Sequence, residues 1–162
     1  MTIGKSARYA LHALLEMALA GAEPVTVAGV ADRFGLPRTA LAKVFQQLVR
    51  AGLAVGTRGV GGGYRLARPA SQVSVLDVTA AFERPHTPGL CLVTERPESG
   101  CERLPTCGLR QLFDEADELV RCTFASVSLA TLARRTASPP PPSAPATTIW
   151  RGELKVRQRR GR

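Results

Sequence analysis

Three cysteines in one proline-bearing, irregular stretch carry the clearest chemical signal of this chain: Cys91, Cys101 and Cys107, spaced C-x9-C-x5-C. Thiolates are soft ligands, and three of them on one loop suit an iron–sulfur cluster or a thiophilic metal. Structural zinc favours paired ligands such as C-x2–4-C, and both intervals here are too wide for that pattern. Oxidation to sulfenate or disulfide is the remaining chemistry open to such a trio. The cluster is the favoured reading, with zinc and metal-free thiol switching as alternatives. Clusters normally take four ligands, so a further donor is needed. His12, His86, Glu95, Glu98, Glu102, Cys122 or an exogenous small molecule are the candidates. Cys122 lies about 140° around a 3.6-residue helix from a stripe through Leu109 and Leu119, which makes it a surface thiol rather than a ligand.

A second constellation is basic. Residues 1–70 hold 9 Lys/Arg against 3 Asp/Glu, residues 71–136 hold 7 against 9, and residues 137–162 hold 6 against 1. More than half of the +9 net charge thus belongs to the first 70 residues, where a footprint for phosphates is expected. There, one helix sets Leu41, Val44, Phe45, Leu48 and Val49 inward and presents Arg38, Thr39, Lys43, Gln46, Gln47 and Arg50 outward. Arg and Lys donate to guanine edges or phosphates, and Gln pairs with adenine. Arg38, Thr39 and Lys43 fall in the first turns, the part of a recognition helix that enters the major groove. Arg58 and Arg65 flank the glycine run 59–63, where Gly61 and Gly62 let the backbone approach DNA, followed by Tyr64. A phosphate-cradling loop would need a strand before the glycines and a helix after them. Here they join strand to strand, which is a wing.

The elements that position these residues follow from spacing and punctuation. Tyr9, Leu11, Leu14, Leu15, Ala18 and Leu19 predict a helix over residues 4–20 that stops at Gly21. Thr26 caps a short second helix closed by Gly35, and Pro37 suits the first turn of the third. Two short helices around a glycine-containing turn form a helix-turn-helix. Ser74 caps a fourth helix over residues 75–83. From Gly108 a long helix shows an apolar stripe of Leu109, Leu112, Phe113, Ala116, Leu119, Val120 and Phe124, wider than a small winged domain covers, which points to dimerisation.

Several classes are excluded. No apolar run reaches the roughly 18 residues that span a bilayer. The N-terminus shows no signal peptide, so the expected compartment is the cytoplasm, where thiols stay reduced. No nucleophile–base pair, paired carboxylates or cofactor fingerprint marks an enzyme, and neither a membrane nor a small-molecule substrate is expected as partner.

The chain resembles the Rrf2 family of bacterial transcriptional regulators, which includes IscR-, NsrR- and RirA-type proteins. The resemblance rests on residues 5–10 (K-S-A-R-Y-A), Leu41 with Phe45 and Leu48, and Gly52 with Leu53. Its strongest part is residues 58–66 (R-G-V-G-G-G-Y-R-L), where the family's wing reads R-G-x-G-G-G-Y-x-L. It continues through residues 75–78, the three cysteines and residues 131–133. This resemblance implies a homodimeric repressor bound to a double-stranded DNA operator. It also implies an iron–sulfur cluster, of the 2Fe–2S or 4Fe–4S type, sensing nitric oxide, redox state or iron and cluster supply. Some members supply a further ligand from the first helix of the partner subunit, which makes His12 one candidate for that role. Arg110 stands where some members carry a histidine ligand.

The expected architecture is mainly α: a winged helix-turn-helix domain with a long C-terminal dimerisation helix. Residues 1–83 form the DNA-binding domain, 84–107 the cysteine-bearing loop, 108–136 the dimerisation helix and domain end, and 137–162 a Pro-rich, basic, disordered tail.

Overall fold

The computed structural model describes residues 3–83 and 106–138. Cys91, Cys101, His86, most of the cysteine-bearing loop and the tail from residue 139 onward lie outside the described residues. The described elements are α1 (Lys5–Ala20), α2 (Val27–Phe34), α3 (Arg38–Arg50), β1 (Ala54–Thr57), β2 (Gly63–Leu66), a 3-10 turn (Ala70–Gln72), α4 (Val75–Ala80), α5 (Gly108–Ser126) and α6 (Leu129–Ala137). The expected mainly α winged architecture is present.

The inner face of α1 is Ala7, Ala10, Ala13, Leu14 and Met17, at helical spacing. It is rotated from the bulkier stripe expected from sequence: Leu19 is exposed, while Tyr9, Leu11, Leu15 and Ala18 are half-buried. Three alanines let α1 approach α3 and α6 closely, and both pack on it.

The helix-turn-helix is set by local chemistry. Thr26 Oγ1 accepts from Gly29 N at 3.0 Å, satisfying one orphan donor of α2. Gly35 closes α2 in the left-handed conformation (φ 62°), and Leu36 N donates to Ala31 O. Pro37 occupies the N-cap of α3 rather than its first turn, with its carbonyl accepting from Leu41 N at 3.0 Å. Leu41, Val44, Phe45 and Leu48 are buried. Val49, expected inward, is 41% exposed at the edge of that face.

β1 and β2 pair antiparallel, with Ala54 opposite Leu66 and Thr57 opposite Gly63. Val25 adds a short third rung by exchanging two backbone hydrogen bonds with Tyr64 (2.9 and 2.8 Å). α4 opens on a full capping box: Asp77 N donates to Ser74 Oγ, and Ser74 N to the Asp77 carboxylate. It ends at Ala80, three residues before the expected Glu83.

Beyond the cysteine-bearing loop, the chain makes two helices. Val127 is extended, and its carbonyl accepts from Val75 N while Leu129 N donates to Val73 O, both at 2.9 Å. Ser128 then caps α6 by accepting from Thr131 N. This junction drives Leu129 into the core beside Leu14, Met17, Phe45 and Val78. Among the described residues, no helix is long and apolar enough to cross a membrane.

Candidate nucleic-acid interface and cysteine region

Burial of Leu41, Val44, Phe45 and Leu48 leaves the opposite side of α3 in solvent, and Arg38, Thr39, Lys43, Gln46, Gln47 and Arg50 are all exposed there. The wing is fixed against this helix by an aromatic contact. The Tyr64 ring meets Phe45 edge-on, with centroids 4.7 Å apart and planes at 72°. Between α3 and the wing lies an open cleft of about 560 Å³, lined by Gln46, Val49 and Arg50 on one side and Arg58 and Tyr64 on the other.

The glycine run builds this hairpin. Gly61 adopts φ +78°, which side-chain-bearing residues rarely take, and a Cβ on Gly62 would collide with the Thr57 carbonyl oxygen. Val60 is left fully exposed on the tip. Arg58 reaches the cleft. Arg65 does not: alternation along β2 turns it from Tyr64's side toward the C-terminal end of α1, beside Met17 and Arg68.

Two polar contacts within this surface were not anticipated from sequence. Arg38 Nη2 donates to both carboxylate oxygens of Asp32, at 2.8 and 3.0 Å, tying the start of α3 to α2. Gln47 Nε2 donates to the carbonyl of Ala81 at the C-terminal end of α4, at 2.6 Å. Gln47 is therefore turned toward α4, away from the cleft that Gln46 lines. Both link residues that spacing within one helix does not relate, so periodicity gave no signal for them.

In the cysteine region, Cys107 is a free, half-buried thiol at the N-cap of α5, and its side chain makes no capping hydrogen bond. Cys122 is exposed, and its Sγ donates to Glu118 Oε1 at 3.4 Å. The hydrogen bond to Glu118, and then that carboxylate's charge, hold the Cys122 thiol above its ordinary pKa. Fifteen residues of helix separate it from Cys107, roughly 22 Å, so the two sulfurs of one chain share no centre. His12 is exposed on α1 and packs its ring on Phe34 of α2, centroids 4.8 Å apart. Among the described residues, no group of three or more His, Cys, Asp or Glu side chains could hold a metal ion. Arg110 Nε, one turn into α5, is buried without a hydrogen-bond partner there.

A helix with a buried apolar face and an exposed basic face, braced by a glycine hairpin, defines the class: a winged-helix, DNA-binding regulator of transcription. Residues 3–135 match the Rrf2 family, described as "Iron-dependent Transcriptional regulator", and the chain belongs to that family. It is 32% identical over 135 residues to protein rrf2 of Nitratidesulfovibrio vulgaris, covering 83% of this chain and 88% of that one. It is 30% identical over 135 residues to the HTH-type transcriptional regulator IscR of Xenorhabdus nematophila, covering 83% and 80%. The crystal structure of the oxidized form of Staphylococcus aureus CymR superposes with a TM-score of 0.66 at 26% identity, covering 82% of this chain and 96% of that one. The X. nematophila relative is named an HTH-type transcriptional regulator, in line with a DNA-binding role and not an enzymatic one.

Proposed function

We propose that this Rrf2 regulator is a homodimeric, cytoplasmic repressor whose affinity for operator DNA is set by an iron–sulfur cluster on Cys91, Cys101 and Cys107. The observation that carries the DNA half is the solvent-facing polar side of α3 beside the wing. Arg38, Thr39 and Lys43 approach base edges, Gln46 and Arg50 follow along the groove, and Arg58 with the backbone of Gly61 and Gly62 meets the sugar–phosphate chain. Tyr64 holds the wing in place through Phe45, Gln47 braces α3 on α4, and Arg65 adds charge from the far strand face.

Dimerisation is supported by α5. Leu109, Leu112, Phe113 and Leu119 are 50–71% exposed in the single chain, an apolar stripe that a second α5 would cover.

The donor chemistry fits a cluster. Three thiols spaced too widely for a zinc knuckle include one, Cys107, whose sulfur is free of any capping bond at the positive end of a helix. His12 of the partner subunit completes the set in this reading. When bound, such a group supplies iron and sulfide that react with nitric oxide or oxidants, or that report iron supply. The chain's own residues provide the coupling. On one flank of the loop, Glu83 accepts from Gly4 N at the start of α1, at 2.8 Å. On the other, Cys107 leads directly into α5, which packs on α4, whose Ala81 carbonyl holds Gln47 of α3. Both flanks are thus tied to elements that seat the recognition helix.

The test is anaerobic purification with an absorbance spectrum and iron and sulfide counts. The loaded and stripped proteins are then compared at one salt concentration on a duplex recovered by selection from random DNA. A coupling of ordinary size changes affinity roughly 5- to 150-fold. A colourless, iron-free protein, or equal affinity of both forms, overturns the cluster switch. A second reading, a metal-free thiol switch, is favoured by the likeness to the oxidized form of S. aureus CymR. Its signature is iron-free protein whose DNA affinity changes with peroxide and returns with a dithiol reductant.

A further inference from the structure

Asp32 is the sole acidic residue between Val27 and Arg50, the span of α2, the turn and α3. A carboxylate in a motif that faces a polyanion weakens binding by repulsion from phosphates, so its place there calls for a physical reason. Its two oxygens both accept from Nη2 of Arg38, the first residue of α3. The two side chains are 62% and 65% exposed, and an ion pair so wet adds little to stability. The fold therefore does not depend on it. What the contact does is orient a guanidinium. Arg carries five N–H donors in a rigid planar fork. Held through one nitrogen, it keeps Nη1 and Nε available, and it stands at the end of α3 where recognition helices meet base edges. An unanchored arginine must lose its rotamer freedom on binding; one biased toward a single rotamer by even a weak pair has less to lose.

We propose that Asp32 is a positioning residue that aims Arg38 at a single guanine of the operator, so that the helix discriminates that base pair more sharply while binding DNA in general more weakly. This rests on the assignment of α3 as the DNA-reading helix.

The full-length protein and the variants Asp32→Ala, Arg38→Ala, the double variant and Asp32→Glu are each put through selection on a randomised duplex library. Affinities for the selected and a scrambled duplex are measured at two salt concentrations. Circular dichroism checks that each variant is folded. The parent protein enriches a motif with a guanine column. Arg38→Ala flattens that column, losing roughly 5- to 150-fold in discrimination there. Asp32→Ala partly flattens the same column and raises affinity for the scrambled duplex. The double variant is no worse than Arg38→Ala, and Asp32→Glu restores part of the preference. If Asp32→Ala strengthens binding to every duplex alike with the column intact, or flattens a different column, Asp32 is only a local charge and the proposal is wrong. If the parent enriches no sequence at all, the assignment of α3 itself falls, and this inference with it.

Discussion

Helices α3 and α5 are both amphipathic, and the molecule treats them in opposite ways. The apolar face of α3 is buried within its own chain, with Leu41, Phe45 and Leu48 fully inaccessible, and this frees the polar face for something outside. The apolar face of α5 is the one left in solvent, and no residue of this 19-residue helix is buried. Among the described residues, every buried hydrophobic side chain except Leu129 comes from residues 3–83. The head is thus a finished core presenting a polar surface, and α5 is an unfinished surface presenting an apolar one. Helices owe most of their stability to a packed face, and the wet leucines of α5 are the face that the proposed dimer would cover.

The contrast can be broken most sharply at Phe45. This side chain is fully buried and also anchors the wing through Tyr64, so Phe45→Ala should cost about 3–5 kcal/mol in denaturant unfolding and release the hairpin from α3. Loss of under about 1 kcal/mol would mean that the head's core is not the folding unit described here.

The next lever is α5. Replacing Leu112 and Leu119 with Glu should leave the head's circular dichroism and thermal transition near those of the parent, because neither side chain touches its core. It should abolish self-association, since each leucine buried between copies contributes roughly 1.5–3 kcal/mol. Sedimentation across a concentration series reads the effect. A variant that keeps the parent's mass would show that another surface joins the copies.

How much of this was legible in the sequence follows the range of the forces involved. The caps at Thr26 and Ser74, the turn at Gly35 and the burial of Leu41, Phe45 and Leu48 are local effects, and spacing reveals them. The wing was legible because Gly61 and Gly62 are demanded by backbone geometry and sterics within one hairpin. The Val127 break was not, because it is made by hydrogen bonds that reach to Val73 and Val75, over fifty positions away. Val49 was misjudged because a residue at the edge of a helical face goes in or out according to its neighbour, and here the neighbour is a cleft. The pairing of Arg38 with Asp32 crosses a turn, where no helical period applies. The cysteine triplet was legible as chemistry, and only Cys107 of it lies among the described residues.

The two described cysteines offer the finest version of the comparison, since both belong to the α5 segment yet sit in different electrostatic settings. The Cys122 thiol donates to Glu118, whose bond and negative charge disfavour the thiolate, with Arg121 opposing only weakly. A raised pKa keeps the group protonated over a wider range, and the thiolate is the nucleophile, so Cys122 should alkylate slowly at neutral pH and quicken only at higher pH. Glu118→Gln removes the charge, so the midpoint of the rate-against-pH curve should move down and the rate at fixed neutral pH should rise. Mass spectrometry after timed iodoacetamide exposure follows Cys122 separately from the other cysteines. An unchanged midpoint in Glu118→Gln would remove Glu118 as the cause. A parent midpoint below that of an ordinary thiol would show that the Glu118 contact does not govern this sulfur and would make Cys122 a reactive thiol.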